Sequence, residues 1–170
     1  DIVPTWDGDT HTLARWIIRV NTISKKSETV RTQLGMIVPQ RLTGRAEQWY
    51  YSLPEARREQ CEQAWDDMRA VIGSYYMNRA WTDRTRKEAL AIRYRERGHE
   101  RELPSDYFIR KKELLELAYD NSEREVNGDI MAGAPFSWHT LIPVDSFNTT
   151  EELQTAIKLR EEELIRLDAL

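Results

Sequence analysis

The 170-residue chain contains a single cysteine, Cys61, and three histidines that lie in separate segments. A lone thiol can form no internal disulfide and supplies no cysteine-based zinc cluster. His11, His99 and His139 have no Cys or carboxylate at metal-ligand spacing, and Cys61 has no evident catalytic partner. The seven glycines are scattered singly, so no phosphate-binding glycine loop is present. No apolar run approaches the ~20 residues of a membrane span, and the N-terminus lacks a basic-then-apolar signal pattern. Together these absences lead us to expect a soluble intracellular protein that is not an enzyme, binds no metal or cofactor and makes no membrane contact.

What the chain does have is charge: 32% of residues are Asp, Glu, Lys or Arg, mean hydropathy is −0.70, and the net charge is −4. The balance is uneven. Residues 1–95 carry 16 Lys+Arg against 12 Asp+Glu, whereas residues 96–170 carry 9 against 17. Such a split fits two lobes in different surroundings, or simply a charged solvent face.

Apolar residues recur at three and four along nearly the whole chain, with no sustained alternation of strand length, so the expected class is all-α with about nine helices. Leu13, Trp16, Ile17, Val20 and Ile23 share one stripe, with Asp9 or Thr10 as its cap. A second helix covers Glu28 to Val38 and stops at Pro39. Leu42, Ala46, Trp49, Tyr50 and Leu53 form a third stripe, and Ala64, Trp65, Met68, Val71, Ile72, Tyr75 and Tyr76 a fourth that must be core. A weaker, arginine-rich helix runs from Thr82 to Glu96, after which Gly98 breaks the pattern. Helices then follow over Pro104 to Tyr119, Ser122 to Ala132, Pro135 to Ile142 and Thr149 to Leu167. Glycine, charge sign and periodicity change together near Arg97 to Arg101, which places the lobe boundary there, with domains 1–97 and 98–170.

Several of these residues resemble the capsid region of Gag from Gypsy-type LTR retrotransposons. Trp6-Asp7-Gly8 stands where that family has an aromatic, a variable residue and glycine, ahead of the helix bearing Trp16. Leu42 to Leu53, LTGRAEQWYYSL, fits the family's Leu-x-Gly-x-Ala-x-x-Trp-x-x-x-Leu pattern at every defined place. AWDDM, Ala64 to Met68, resembles the next Trp-led helix, which closes on an aromatic pair, here Tyr75-Tyr76. The stretch RGHERELPSDYFIRKKELLELAYD is similar to the major homology region of retroviral capsids: Gly98 fills the glycine place, and Glu102, Tyr107 and Arg110 keep the spacing from glutamate onward. It departs from that region in having Arg97 for glutamine and one extra residue between Gly98 and Glu102.

The resemblance spans about residues 2 to 165 and implies two small helical lobes like the N-terminal and C-terminal domains of retroviral capsids. The implied function is assembly into virus-like particles that enclose element RNA in the cytoplasm, with the first lobe making rings and the second dimerising between them. In such a motif a tight turn feeds a helix, and a partly buried Glu102–Arg110 pair with backbone hydrogen bonds fixes one against the other. A plain surface helix with an incidental ion pair is the alternative.

Three further features carry open readings. Arg84, Arg86, Lys87 and Arg93 belong to a basic run, residues 79–97, that could hold the phosphates of RNA weakly and with strong salt dependence, or could be a solvated face. Val126, Ile130 and Met131 form a narrow stripe on a polar segment, suited to self-association about a two-fold axis or to internal packing. Trp6 either covers the first lobe or leaves a groove for a partner peptide. The last possibility belongs to a second hypothesis, a domesticated Gag-derived module that binds protein peptides with reduced or no assembly. A third is an unrelated helical adaptor.

Overall fold

A computed structural model describes residues 2–118 and 121–169. Among these residues the protein is all-α, with eleven α-helices and two short 3-10 turns, and no helix is long and apolar enough to cross a membrane. The chain divides into two compact units, Asp1–Asn78 and Arg79–Leu170.

The first unit holds α1 (Leu13–Ser24), α2 (Glu28–Ile37), α3 (Gly44–Ser52), α4 (Glu55–Cys61) and α5 (Trp65–Tyr76). Helix α2 opens on Ser27, whose hydroxyl accepts from the Val30 amide and so satisfies one of the free donors of the first turn. The stripes expected on α1, α3 and α5 meet in one core, where Leu13, Val20, Leu34, Tyr50, Met68 and Ile72 are buried, but Tyr75, expected in the α5 stripe, is 56% exposed. Aromatic rings tie this core together. Trp6 stacks on Trp16 at 5.7 Å between centroids, and Trp16 meets Trp65 edge to face at 5.9 Å. Each of the three indole N–H groups also finds an oxygen: Trp6 donates to the Asp9 carbonyl, Trp16 to the Pro4 carbonyl and Trp65 to Asn21 Oδ1. A buried indole left without a partner would carry a desolvation penalty, so these bonds fix ring orientation as well as position.

The second unit holds α6 (Arg79–Ala91), α7 (Pro104–Ala118), α8 (Glu123–Ala132), the short α9 (Trp138–Leu141), α10 (Thr150–Leu159) and α11 (Glu161–Asp168). Helix α7 is central: Tyr107, Phe108, Lys111 and Leu115 are fully buried on it. Around them pack Ala89 and Ile92, the α8 residues Val126, Ile130 and Met131, then Trp138, Leu153, Ile157 and Leu164. Capping boxes start α8 and α10, built from Ser122 with Glu125 and from Thr149 with Glu152.

The structure departs from the sequence expectations at particular places. The division between units falls at residues 78 and 79, not 97 and 98, because Ala89 and Ile92 bury their side chains in the second core. Helix α6 begins earlier and ends at Ala91, which leaves 92–103 outside any helix. Helix α4, polar along most of its length, was not anticipated. The last expected helix is broken at Arg160, where Glu161 turns its carboxylate to the start of α7 and accepts from both the amide and the hydroxyl of Ser105. Asp9 does not cap α1; its Oδ1 accepts from the His11 amide instead. Tyr119, the expected end of α7, lies outside the described residues.

Candidate functional site

Residues 92–103 run from α6 to α7 without regular hydrogen bonding, so side chains must satisfy and fix their backbone. Three successive tight turns carry the chain round, with amides of Glu96, His99 and Glu102 donating to carbonyls three residues back. Gly98 lies within this path at φ +90°, a conformation that L side chains rarely adopt, and open space surrounds the place where a Cβ would be. Glycine is therefore needed there for its dihedral, not for room. Arg95 also has positive φ, +56°. Two bonds hold it: its amide donates to Glu102 Oε1 at 2.8 Å and its Nε to the Glu102 carbonyl at 3.1 Å.

Arg110, two turns into α7, closes the knot. Its Nε donates to Glu102 Oε2 at 3.0 Å and one terminal nitrogen to Glu102 Oε1 at 2.9 Å, a bidentate pair. The same nitrogen donates to the Arg93 carbonyl at 3.0 Å, and the other reaches Glu96 Oε2 at 2.7 Å. One guanidinium thus gathers two carboxylates and a carbonyl from three turns of chain. The Glu102 side chain is 7% exposed and that of Arg110 23%, so the pair is substantially withdrawn from water. Burial works against the charge on Arg110, but the hydrogen bonds it donates to Glu102 and Glu96 outweigh it and raise its pKa. Burial likewise opposes the charge on Glu96, while the bonds from Arg110 and the Arg93 amide hold its carboxyl below the usual range.

Below the ion pair lies a second, more deeply buried layer. Tyr107 is buried, and its hydroxyl donates to the Ile130 carbonyl of α8 at 2.5 Å. Lys111, 1% exposed, donates from Nζ to the Ile92 carbonyl at 3.0 Å. Burial pushes its pKa down to about 8. The Tyr94 amide and the Arg93 guanidinium donate to the carbonyls of Gly133 and Ala132, which ties the irregular segment to the end of α8. Gly133 permits this approach: a Cβ on it would come within 2.4 Å of the Ile92 carbonyl oxygen and 2.6 Å of Lys111 Nζ.

Of the motif residues read from sequence, Glu102, Tyr107 and Arg110 come together, while Gly98 supplies the positive φ of the turn. Sequence reasoning missed Glu96, Arg95, the Arg93 carbonyl and Lys111. Glu96 lies in the helix expected over Thr82 to Glu96, which ends five residues earlier, and a lysine on a helix carries no sequence sign of burial.

The self-association stripe needs correction. Val126 is 4% exposed, Ile130 0% and Met131 1%, and all three belong to the core of their own unit. A unit this small spends its few apolar side chains internally. Exposed apolar surface on the second unit lies elsewhere, including a groove of about 570 Å³ lined by Ser105, Ile109, Gln154, Thr155, Lys158 and Leu159. Ile109 is 50% exposed and Leu159 82%. Of the basic residues, Arg84, Arg86 and Lys87 are exposed on α6, whereas Arg93 is engaged with α8 and the knot. Trp6 is covered, packed between Trp16 and the edge-on ring of Tyr76. No group of three or more His, Cys, Asp or Glu among the described residues is placed to hold a metal ion.

Comparison with known proteins finds no matching family model, no matching curated protein and no matching solved structure.

Proposed function

We propose that the chain is a structural protein of the retrotransposon Gag capsid kind, which associates with its own copies into a shell around element RNA in the cytoplasm. The observation that carries this reading is the bidentate Glu102–Arg110 pair at an irregular turn feeding a long helix. That is the arrangement the resemblance to the major homology region implies. A second support comes from the first unit, where Leu42, Ala46 and Trp49 of the Leu42–Leu53 pattern are all buried in the core.

Because the α8 stripe is internal, contacts between copies need another surface, and this reading assigns them to the groove bearing Ile109 and Leu159. A peptide-binding module of the same fold has less to stand on, since Trp6 is covered. The test is to raise protein concentration and ionic strength while following light scattering and negative-stain images. Rings, tubes or shells are expected, and a protein that stays monomeric throughout overturns the assembly. Replacing Ile109 with Asp and Leu159 with Glu should abolish the assemblies while leaving the circular dichroism spectrum intact. Assembly that survives both changes would remove the groove from the reading.

A further inference from the structure

Several cations of the second unit are held in ion pairs. Lys112, Lys158 and Arg160 pair with carboxylates on their own or a neighbouring turn, and Arg110 is held by Glu96 and Glu102. On α6 two opposite-charge spacings go unused. Asp83 and Lys87 are four residues apart, as are Arg84 and Glu88, yet neither pair forms an ion pair among the described residues. Trp81, Thr85 and Ala89 turn one side of this helix inward. Arg79, Arg84, Arg86 and Lys87 are all exposed, and the helix spreads them over roughly 12 Å of axis.

We propose that this exposed face of α6 binds the phosphodiester backbone of single-stranded nucleic acid through Arg79, Arg84, Arg86 and Lys87, without reading bases. Sequence reading or strong single-strand affinity needs aromatic rings on which bases stack. The two aromatics that interleave with the basic run do not serve: Trp81 is 5% exposed, and the Tyr94 ring lies against Trp138 and Tyr107. What remains is charge, and charge recognises a polyanion by phosphate contact and counterion release. Arg93 and Arg95 drop out of the contact set because their backbone and side chains build the knot. Leu90, 45% exposed, is the one large apolar side chain exposed on α6. A single leucine among four cations supplies no anchor cluster of the kind that seats a protein partner.

The inference adds an RNA-facing surface to the assembly reading, and it is tested on dilute, unassembled protein so that the two can fail separately. Fluorescence anisotropy is measured on the full chain with labelled oligo-U, oligo-A and oligo-dT of about twenty nucleotides, at salt from about 50 to 200 mM. Four phosphate contacts on a single strand give a log–log salt slope of about −2.8, a loss of roughly fifty-fold over that range. The three oligonucleotides should bind alike. Changing Arg84 and Lys87 to Gln should flatten the slope by about 1.4, whereas Lys87→Arg should leave it intact. Absence of binding at low salt, a slope unmoved by the double change, or a marked preference for one base or for RNA over DNA would each overturn the proposal. Competition by poly-glutamate as effective as that by RNA would also overturn it, in favour of an acidic protein partner.

Discussion

Each unit must immobilise an irregular stretch of about a dozen residues, 2–12 in the first and 92–103 in the second, and the two do so by different means. In the first, bulk does most of the holding. Val3 and Trp6 are buried, the Trp6 backbone exchanges two bonds with Arg41 and Thr43, and the Trp16 indole reaches back to the Pro4 carbonyl. In the second, most side chains of the stretch are polar or charged, and a guanidinium, a carboxylate and an ammonium group take the place of the rings. Packing tolerates small displacements and loses energy in proportion to contact. A bidentate ion pair specifies one geometry, gains little net stability against an apolar replacement, and is expensive to leave half made.

The sharpest break of this comparison lies on the aromatic side. Trp6→Ala should destabilise the first unit by about 3–5 kcal/mol, because the stacked contact with Trp16 and the edge contact with Tyr76 both vanish and the site cannot fully collapse. Amide hydrogen exchange checks it: protection should fall across α1, α3 and α5 while α7 keeps its own. Uniform loss over both units would mean that the units do not unfold separately.

Next comes the knot. Arg110→Ala removes the one group that satisfies Glu102 and Glu96 together, and should weaken the second unit by about 2–4 kcal/mol, the lower end reflecting the partial exposure of the guanidinium. Replacing both members, Arg110→Met with Glu102→Gln, should recover part of that loss by removing the more deeply buried of the two carboxylate charges that the guanidinium would leave behind. Urea denaturation followed at α7 reads the difference. A double variant no better than the single one would mean that the carboxylate of Glu102 is needed for its bond from the Arg95 amide more than for the guanidinium.

The same contrast explains what was legible in the sequence. Apolar spacing located α1, α2, α5 and α8 closely, since burial at three and four is what periodicity records. The resemblance to the major homology region pointed to a Glu102–Arg110 pair that is present. Nothing in composition marked Arg95 for a positive φ, or Glu96 for a second contact, because both depend on how three turns fold back on α7. The Val126, Ile130 and Met131 stripe was visible but not its direction: a narrow apolar stripe looks the same whether it faces a core or a copy. Lys111 escaped for the opposite reason, since a lysine reads as solvent-facing until its surroundings are known.

Lys111 supplies the subtlest test. Its ammonium group has one carbonyl acceptor, Ile92, and the charges around it partly cancel: Arg93 and Arg110 disfavour protonation while Asp129 and Glu96 favour it. Burial is the leading cause of a pKa near 8, against 10.5 for a free lysine. Between those values the unfolded chain binds more protons than the folded one, so stability should rise with pH from about 8 towards 10, by roughly 1–3 kcal/mol. Cys61, whose pKa burial raises, and the buried tyrosines act with the opposite sign at the upper end of this window. They are common to both proteins when wild type is compared with Lys111→Met, so the difference isolates the amine. The variant loses the bond to Ile92 but should show no rise over the same interval in urea titrations. Equal slopes for the two would mean that Lys111 stays protonated in the folded state over this interval, and that its surroundings are wetter than its burial implies.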